Sequence, residues 1–538
     1  MSEWTLGAVL DAITDAVPDR VMTVCGDRRS SYAQVSDRTR RLANFLASKG
    51  FGAHRERESL QRWECGQDRV ALIMHNDLYT DMLIGCLKAR VVPVNVNHQY
   101  TPGEVRELLD YLRPRGVIYH RSLGAKFADV LPATGADLLI SVDDDSAAPE
   151  LPGAVTLNDA LGQGDTDAVV EPSPDDVLMI CTGGTTGRPK GVMWRQSDTY
   201  VVSMNGADHS SVAEIHDKVR HCGPPWFAVS PLMHAAGLWT TLAAVLGGQT
   251  VVLYDNRAAF DARTVLETAE REQVGLMTMV GDAYAGPLVE ELRRRPYELS
   301  SLAAVASGGA ATNPKHQRAL LDLLPNITMV NGYGSSETGN VGFGRSQRDN
   351  PKDTFELRAG ASVVSADLQH FLQPGDPEIG WVAREGRIPL GYFDDPEATR
   401  ATFPEIDGHR VVISGDRGRL AADGTLELFG RDSLVVNTGG EKVFVEEVEE
   451  VLRVQPDVAD ALVVGRPSER WGEEVVALVS LRDNAAATPE DLRASCGERL
   501  AGFKVPKAVL FVAQVRRLGN GKADYRWAKS VAEQQVMT

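Results

Sequence analysis

Thr182-Gly183-Gly184-Thr185-Thr186-Gly187-Arg188-Pro189-Lys190-Gly191 follows directly on the apolar run Val177-Leu178-Met179-Ile180-Cys181. A buried strand that empties into four glycines, three threonines and a lysine has the makings of an anion cradle. Glycine lets backbone amides approach closely, Thr182, Thr185 and Thr186 offer hydroxyl donors, and Lys190 offers charge. The loop is not of the kinase or GTPase kind. That pattern places Gly before the lysine and Ser or Thr after it, whereas Pro189 and Gly191 stand here.

Outward from this loop, short apolar strands alternate with helical patterns. Val70-Ala71-Leu72-Ile73-Met74 reads as a strand, Asp77 to Arg90 as a helix, and Val91 to Val96 as the returning strand. This predicts an α/β fold with layered sheets. Two further strands, Leu302 to Ala306 and Ile327 to Val330, run into Ser307-Gly308-Gly309 and Asn331-Gly332-Tyr333-Gly334. Ligands of open α/β sheets bind at the carboxyl ends of strands, so three such ends are expected to converge on one site. Beyond Arg431 the pattern becomes strand, helix, strand, helix, with Val445, Val448, Val451 and Leu452 on one helical face. The expected organisation is a large N-terminal domain over 1–430, a hinge at 431–434 and a small α+β domain over 435–538.

With 56 Lys and Arg against 74 Asp and Glu, the formal charge of the 538-residue chain is −18. Such a surface repels phosphate backbones and excludes nucleic acid as the main partner. The six cysteines are scattered without a C-x-x-C pair, as expected of free thiols in a reducing compartment. Cys181 reads as a buried strand residue. The first residues carry neither a basic nor an apolar signal segment, so a cytoplasmic protein is expected. Gly223 to Tyr254 contains no Asp, Glu, Lys or Arg, but Pro224, Pro225, Pro231 and His234 interrupt it. It reads as core that lines a pocket, not as an integral membrane segment. Residues 51–69 read as a polar surface excursion.

The loop Thr182 to Gly191 resembles the signature of the adenylate-forming superfamily of acyl-CoA synthetases, luciferases and peptide-synthetase adenylation domains. Further stations follow in that family's order: Pro231-Leu232-Met233-His234-Ala235-Ala236-Gly237, Gly332-Tyr333-Gly334-Ser335-Ser336-Glu337-Thr338, Ser414-Gly415-Asp416, Gly430-Arg431, Asn437 to Val443, and Gly521-Lys522. Serine stands at 336 where the family has threonine. The resemblance covers nearly the whole chain. It implies ATP, Mg²⁺ and coenzyme A as the small molecules handled. Attack of a carboxylate on the α-phosphorus builds charge on the phosphoryl oxygens and the leaving pyrophosphate, which a metal, a lysine and preorganised donors must meet.

On that resemblance Thr182, Gly183, Gly184, Thr185, Thr186, Gly187 and Lys190 hold the phosphates, with Thr185 also counted as catalytic. Glu337 is the Mg²⁺ ligand. Gly308, Gly309, Asn331, Tyr333 and Ser336 form the nucleotide slot, with the tyrosine ring as a flat face. Asp416 takes the ribose hydroxyls and Arg431 reaches ribose or phosphate. Lys522 bridges the acyl carboxylate and the α-phosphate. His234 gates passage between the acyl and nucleotide sites. Rotation of the small, mobile C-terminal domain then withdraws Lys522 and brings in Gly439 and Gly440, which let the pantetheine thiol pass. The hinge position two residues after the arginine, commonly Asp or Lys in the family, is Ser433 here. Gly430-Arg431-Asp432-Ser433-Leu434 also matches a phosphopantetheine attachment pattern, but the β-rich run Leu434-Val435-Val436 after it argues against a carrier domain.

Trp226, Phe227, Met233, Leu238 and Trp239 around His234, without a basic residue nearby, point to an apolar acid. Local strings such as Gly191-Val192-Met193-Trp194-Arg195 and Lys522-Ala523-Asp524-Tyr525-Arg526-Trp527 resemble actinobacterial fatty-acid and sterol side-chain CoA ligases. The expected activity is ATP-dependent conversion of such an acid to acyl-adenylate and then acyl-CoA. Transfer to a carrier protein instead of CoA, and a silent ATP-binding module, stand as alternatives. Monomer and homodimer both remain open.

Overall fold

Two mostly parallel sheets set the architecture, and each is a product of the alternation read above. The computed structural model describes residues 3–165, 167, 170–182, 190–310, 312–350, 354–431, 434–438, 441–468, 472–500, 502–518 and 522–534. In the first sheet, Val21–Cys25, Val251–Leu253, Trp226–Ala228, Leu276–Met279, Ala304–Gly308 and Thr328–Ser335 run parallel as neighbours, and Gly339–Ser346 returns antiparallel. In the second, Val177–Thr182, Val92–Asn95, Arg69–Ile73, Gly116–His120 and Leu138–Val142 run parallel. Lys190–Arg195 pairs antiparallel with Val177–Thr182, closing the quoted loop into a hairpin.

Both sheets are covered on two faces, which is why their strands read as continuous apolar runs. Leu72, Leu178 and Ile180 pack into one core with the helices Tyr32–Ser48 and Tyr79–Lys88. Ala71, Ile73, Val177 and Met179, the alternate residues of the same strands, pack into another. An antiparallel sheet of Ala361–Val364, Gly380–Glu385, His409–Leu420 and Leu426–Arg431 follows. The last sheet is built wholly from later residues: Val435–Thr438, Glu441–Phe444, Val458–Ser468, Gly472–Leu481 and Ala508–Phe511. The helix Val445–Arg453 covers it, with Val445, Val448, Val451 and Leu452 buried as its spacing predicts.

Two expectations change. The strands at 304 and 328 run further than read: Gly308 and the whole of Asn331-Gly332-Tyr333-Gly334-Ser335 are strand, and the turn falls at 336–338. Glycine lowers strand propensity, but Asn331 and Gly332 are paired on both sides and Gly308, Tyr333, Gly334 and Ser335 on one, and tertiary pairing overrides propensity. The aromatic cluster around His234 splits across the sheet. Phe227 packs with Met277 and Met279 on one face, whereas Leu238, Trp239 and Trp226 join the core on the other. The charge-free stretch is strand Trp226–Ala228, helix Ala235–Val245 and strand Val251–Leu253. Among the described residues no helix is long and apolar enough to cross a membrane. Residues 51–69 hold one short 3-10 turn, Arg57–Ser59, and are strand-poor as read until Arg69.

Candidate active site between two sheet edges

The carboxyl ends of the two parallel sheets face each other, and side-chain amides join them. Asn95, at the end of its strand and 8% exposed, donates from Nδ2 to the Met233 carbonyl at 2.6 Å. Its Oδ1 accepts from the Cys181 amide at 2.9 Å. One buried amide therefore ties the root of the phosphate loop to the residue before His234. Asn76 does the same one strand over, accepting from the Leu232 amide at 2.9 Å and donating to the Tyr254 carbonyl at 2.9 Å. These bonds join the strand end at Cys181 to the segment before His234 across two sheets; the strand ends at Gly308 and Asn331 take no part in them.

His234 caps the start of the helix Ala235–Val245. Behind it Gly237 allows the helix to sit on the chain: a Cβ there would lie 2.6 Å from the Pro231 carbonyl. Burial, and secondly the positive charge of Lys522, push the His234 imidazole down to about 4, so it is neutral at physiological pH. Lys522 itself is exposed. Its charge nonetheless acts on His234, 288 positions away in sequence.

Glu337 stands on a turn closed by hydroxyls. Ser335 Oγ accepts from the amides of Glu337 at 3.2 Å and Thr338 at 3.1 Å, and Thr338 Oγ1 accepts from the Ser335 amide at 2.9 Å. The buried indole of Trp194 donates to the Ser336 carbonyl at 2.8 Å, fixing the turn to the strand after the phosphate loop. The Glu337 carboxylate accepts from the Tyr392 hydroxyl at 3.1 Å. Lys190 Nζ lies 4.9 Å from the centre of the same tyrosine ring and 3.7 Å from Asp395. Glu337 and Lys190 thus flank Tyr392, an anion and a cation on one support. A half-buried carboxylate with one oxygen on a neutral phenol suits a hard divalent cation whose other ligands are phosphate oxygens. No cluster of three His, Cys, Asp or Glu at metal spacing occurs among the described residues.

Asp416, 7% exposed, accepts from the Tyr333 hydroxyl at 2.8 Å and from Ser414 Oγ at 3.0 Å. Those bonds hold the tyrosine ring upright beside the strand end at Gly308. Gly309 has φ +81°, a left-handed conformation that favours glycine. Asn331 donates to Gln317 Oε1 at 3.1 Å. Arg431 pairs through its backbone opposite Asp416. Gly183, Gly184, Thr185, Thr186, Gly187, Ser433, Gly439 and Gly440 lie outside the described residues, and Thr182 is described only as the end of its strand, opposite Lys190.

Sequence reading missed the supports: Asn76, Asn95, Trp194 and Tyr392. It also missed three buried histidines on the same sheet edge. The His75 amide donates to His120 Nδ1 at 2.9 Å. The rings of His75 and His98 have centres 4.8 Å apart. Burial first, then the neighbouring His75, holds His98 at about 4 and His120 at about 3. His234 also acts on His98. All four end or follow strands, a positional signal that could have found them. Cys181 lies in its strand as read but is half-buried by exposed area; desolvation still raises its thiol to about 12, and all six cysteines are free.

Comparison with known proteins agrees with this geometry. Residues 10–369 match the AMP-binding enzyme model and residues 447–522 the AMP-binding enzyme C-terminal domain. The chain belongs to the AMP-binding enzyme family, in its adenylate-forming acyl-CoA ligase branch. It is 43% identical to the medium-chain acyl-CoA ligase Mig of Mycobacterium avium, over 98% of each chain. It is 35% identical to a 3-oxocholest-4-en-26-oate–CoA ligase of Rhodococcus rhodochrous, over 96% of this chain and 93% of that one. Among solved structures, ATP-bound MatB from Rhodopseudomonas palustris shares the fold with a TM-score of 0.81 at 21% identity, over 99% of this chain and 100% of that one.

Proposed function

We propose that the protein converts an apolar carboxylic acid, a medium- or long-chain fatty acid or a sterol side-chain acid, to its acyl-adenylate and then to its CoA thioester. The observation that carries this reading is the Asn95 amide, which joins the root of the phosphate loop at Cys181 to the segment before His234. It sets the phosphate side and the acid side of the site next to each other, where a C-terminal lysine would meet charge building at the α-phosphate. The names of the relatives in Mycobacterium avium and Rhodococcus rhodochrous support the substrate class.

In this reading Lys190 and the loop before it hold the β- and γ-phosphates. Asp416 and Tyr333 orient the ribose and adenine, and Glu337 would hold Mg²⁺, which supplies charge neutralisation at the phosphates. Lys522 attracts the acid carboxylate and the α-phosphate together and stabilises the negative charge of the transition state. His234, neutral through burial, adds no cation that would compete with Lys522 for the carboxylate. A rotation about 431–434, between a large domain and the small C-terminal one, then clears Lys522 for thiol attack. The test is a panel of short, medium, long, aromatic and sterol acids. We expect acid-dependent exchange of labelled pyrophosphate into ATP and acyl-CoA mass with the medium and long members. Lys522→Ala is expected to lose exchange about 10²–10³-fold, as when one transition-state donor is removed. Exchange undiminished in that variant rejects the assignment.

A further inference from the structure

Lys522 is an exposed residue on a long, flexible stem, and such a side chain carries about 2 kcal/mol of rotamer entropy. Something must hold its backbone if the ammonium is to arrive in one place. The structure supplies a chain of ions under it. Arg517 donates from Nε at 2.9 Å and Nη2 at 2.6 Å to one oxygen of Asp460. The other oxygen of Asp460 accepts from the Ala461 amide at 2.8 Å and from Arg453 Nε at 3.2 Å. Arg453 Nη2 donates to Glu449 at 2.7 Å, and the same Glu449 oxygen accepts from the Tyr525 hydroxyl at 3.1 Å.

The two ends of this chain bracket the lysine. Arg517 lies five residues before Lys522 and Tyr525 three residues after it. Between them the Leu518 amide donates to the Lys522 carbonyl at 2.8 Å, and Arg517 bridges Ala523 as a short antiparallel pair. The chain also touches the large domain. Lys315 Nζ donates to the carbonyl of Ala459, next to Asp460, at 3.4 Å. Arg453 acts electrostatically on Asp282, the carboxylate that holds the Asn313 amide at 2.9 Å and His316 at 2.8 Å.

Stability alone explains this poorly. The Glu449 side chain is 1% exposed and that of Arg453 15%. Desolvation of such pairs offsets most of their attraction, and well-packed apolar residues would serve as well. We propose that the Asp460–Arg517 ion pair, backed by Arg453, Glu449 and Tyr525, is the positioning element that sets where Lys522 stands during adenylation. Arg517 and Asp460 touch no reacting atom in this scheme; they act through the lysine.

The inference rests on Lys522 serving adenylation and not thiol transfer, which makes the two half reactions its test. Dodecanoate with labelled pyrophosphate reads the first, and synthetic dodecanoyl-adenylate with CoA reads the second. Arg517→Gln is expected to lower the first about 10–100-fold, as for a catalytic group misplaced by about 1 Å. It should leave the second within about twofold and leave the KM for ATP unchanged. Arg517→Lys should restore part of the loss, and Arg517→Gln should cost nothing further on top of Lys522→Ala. An equal fall in both half reactions would mark a merely structural role and overturn the proposal, as would wild-type exchange in Arg517→Gln while Lys522→Ala is dead. Should Lys522→Ala itself keep exchange, the functional reading fails instead. Tyr525→Phe, which removes one hydroxyl from the far end, guards against misfolding: it should reproduce the selective loss in weaker form.

Discussion

The two halves of the site are held by opposite kinds of chemistry. On the large domain the segments before His234, around Glu337 and at the Cys181 strand end are held chiefly by neutral groups: the amides of Asn76 and Asn95, the Trp194 indole and the Tyr392 hydroxyl, with Lys190 and Asp395 as an ion pair beside them. On the C-terminal side the lysine turn rests on four charged residues and a phenol. The difference follows from what each half must do. Neutral clamps add no field of their own beside a triphosphate and its counter-cation, where any fixed charge would be felt strongly. A unit that rotates, as the proposed function requires, needs internal rigidity that survives leaving its neighbour, and bonds to charged groups are the stronger ones. Among the described residues it meets the large domain through Lys315 and the Ala459 carbonyl at 3.4 Å and through the rings of Phe429 and Phe444, 5.8 Å between centres.

The contrast breaks first in acid. The large-domain half depends on histidines that stay neutral. An unfolded chain takes up protons near the ordinary histidine value of about 6.5, whereas native His98 waits until about 4. The unfolded state therefore binds more protons between those values, and this contribution to stability falls as pH drops through the window. Chemical denaturation of wild type and His98→Gln at pH 7 and pH 4.5 should show the variant losing about 2–3 kcal/mol less over that span. Parallel curves would remove His98 from the account.

Asn95→Ala sharpens the comparison. It leaves the Cys181 amide and the Met233 carbonyl without partners at a buried junction, a cost of about 1–3 kcal/mol. Because the junction serves both the phosphate loop and His234, the pyrophosphate-exchange rate and the KM for ATP should both worsen, unlike the rate-only loss expected of Arg517→Gln. Tyr392→Phe is the mildest. It removes one hydrogen bond from Glu337 but keeps the ring under Lys190, so the Mg²⁺ concentration giving half-maximal exchange should rise about two- to fivefold, the worth of a single hydrogen bond. A variant indistinguishable from wild type in a Mg²⁺ titration would show that the phenol does not orient the carboxylate.

How legible was all this beforehand? The alternation of Val70 to Met74, Asp77 to Arg90 and Val91 to Val96 was readable because burial on both faces leaves an apolar run that only a parallel sheet explains; the elements fall at Arg69–Ile73, Tyr79–Lys88 and Val92–Asn95. Glu337, Asp416 and Lys522 came from the family resemblance and not from local composition: by itself Lys522 reads as a surface lysine in a polar stretch, and Glu337 and Asp416 as turn carboxylates. Asn95 and Tyr392 were not readable. Each earns its place through one contact with a residue 55 or more positions away, and no periodicity or local composition records such a distance. The split of Phe227 from Trp239 was invisible for a related reason: which side of a buried strand a residue faces depends on register, and both faces are apolar here.

Lys522 lowers the proton affinity of His234, and such an influence runs both ways. Whatever free energy the lysine's arrival takes from the imidazolium, a proton on the imidazole takes from the lysine's arrival. Under the proposed function, a proton on His234 therefore disfavours Lys522 beside it by simple repulsion between two cations.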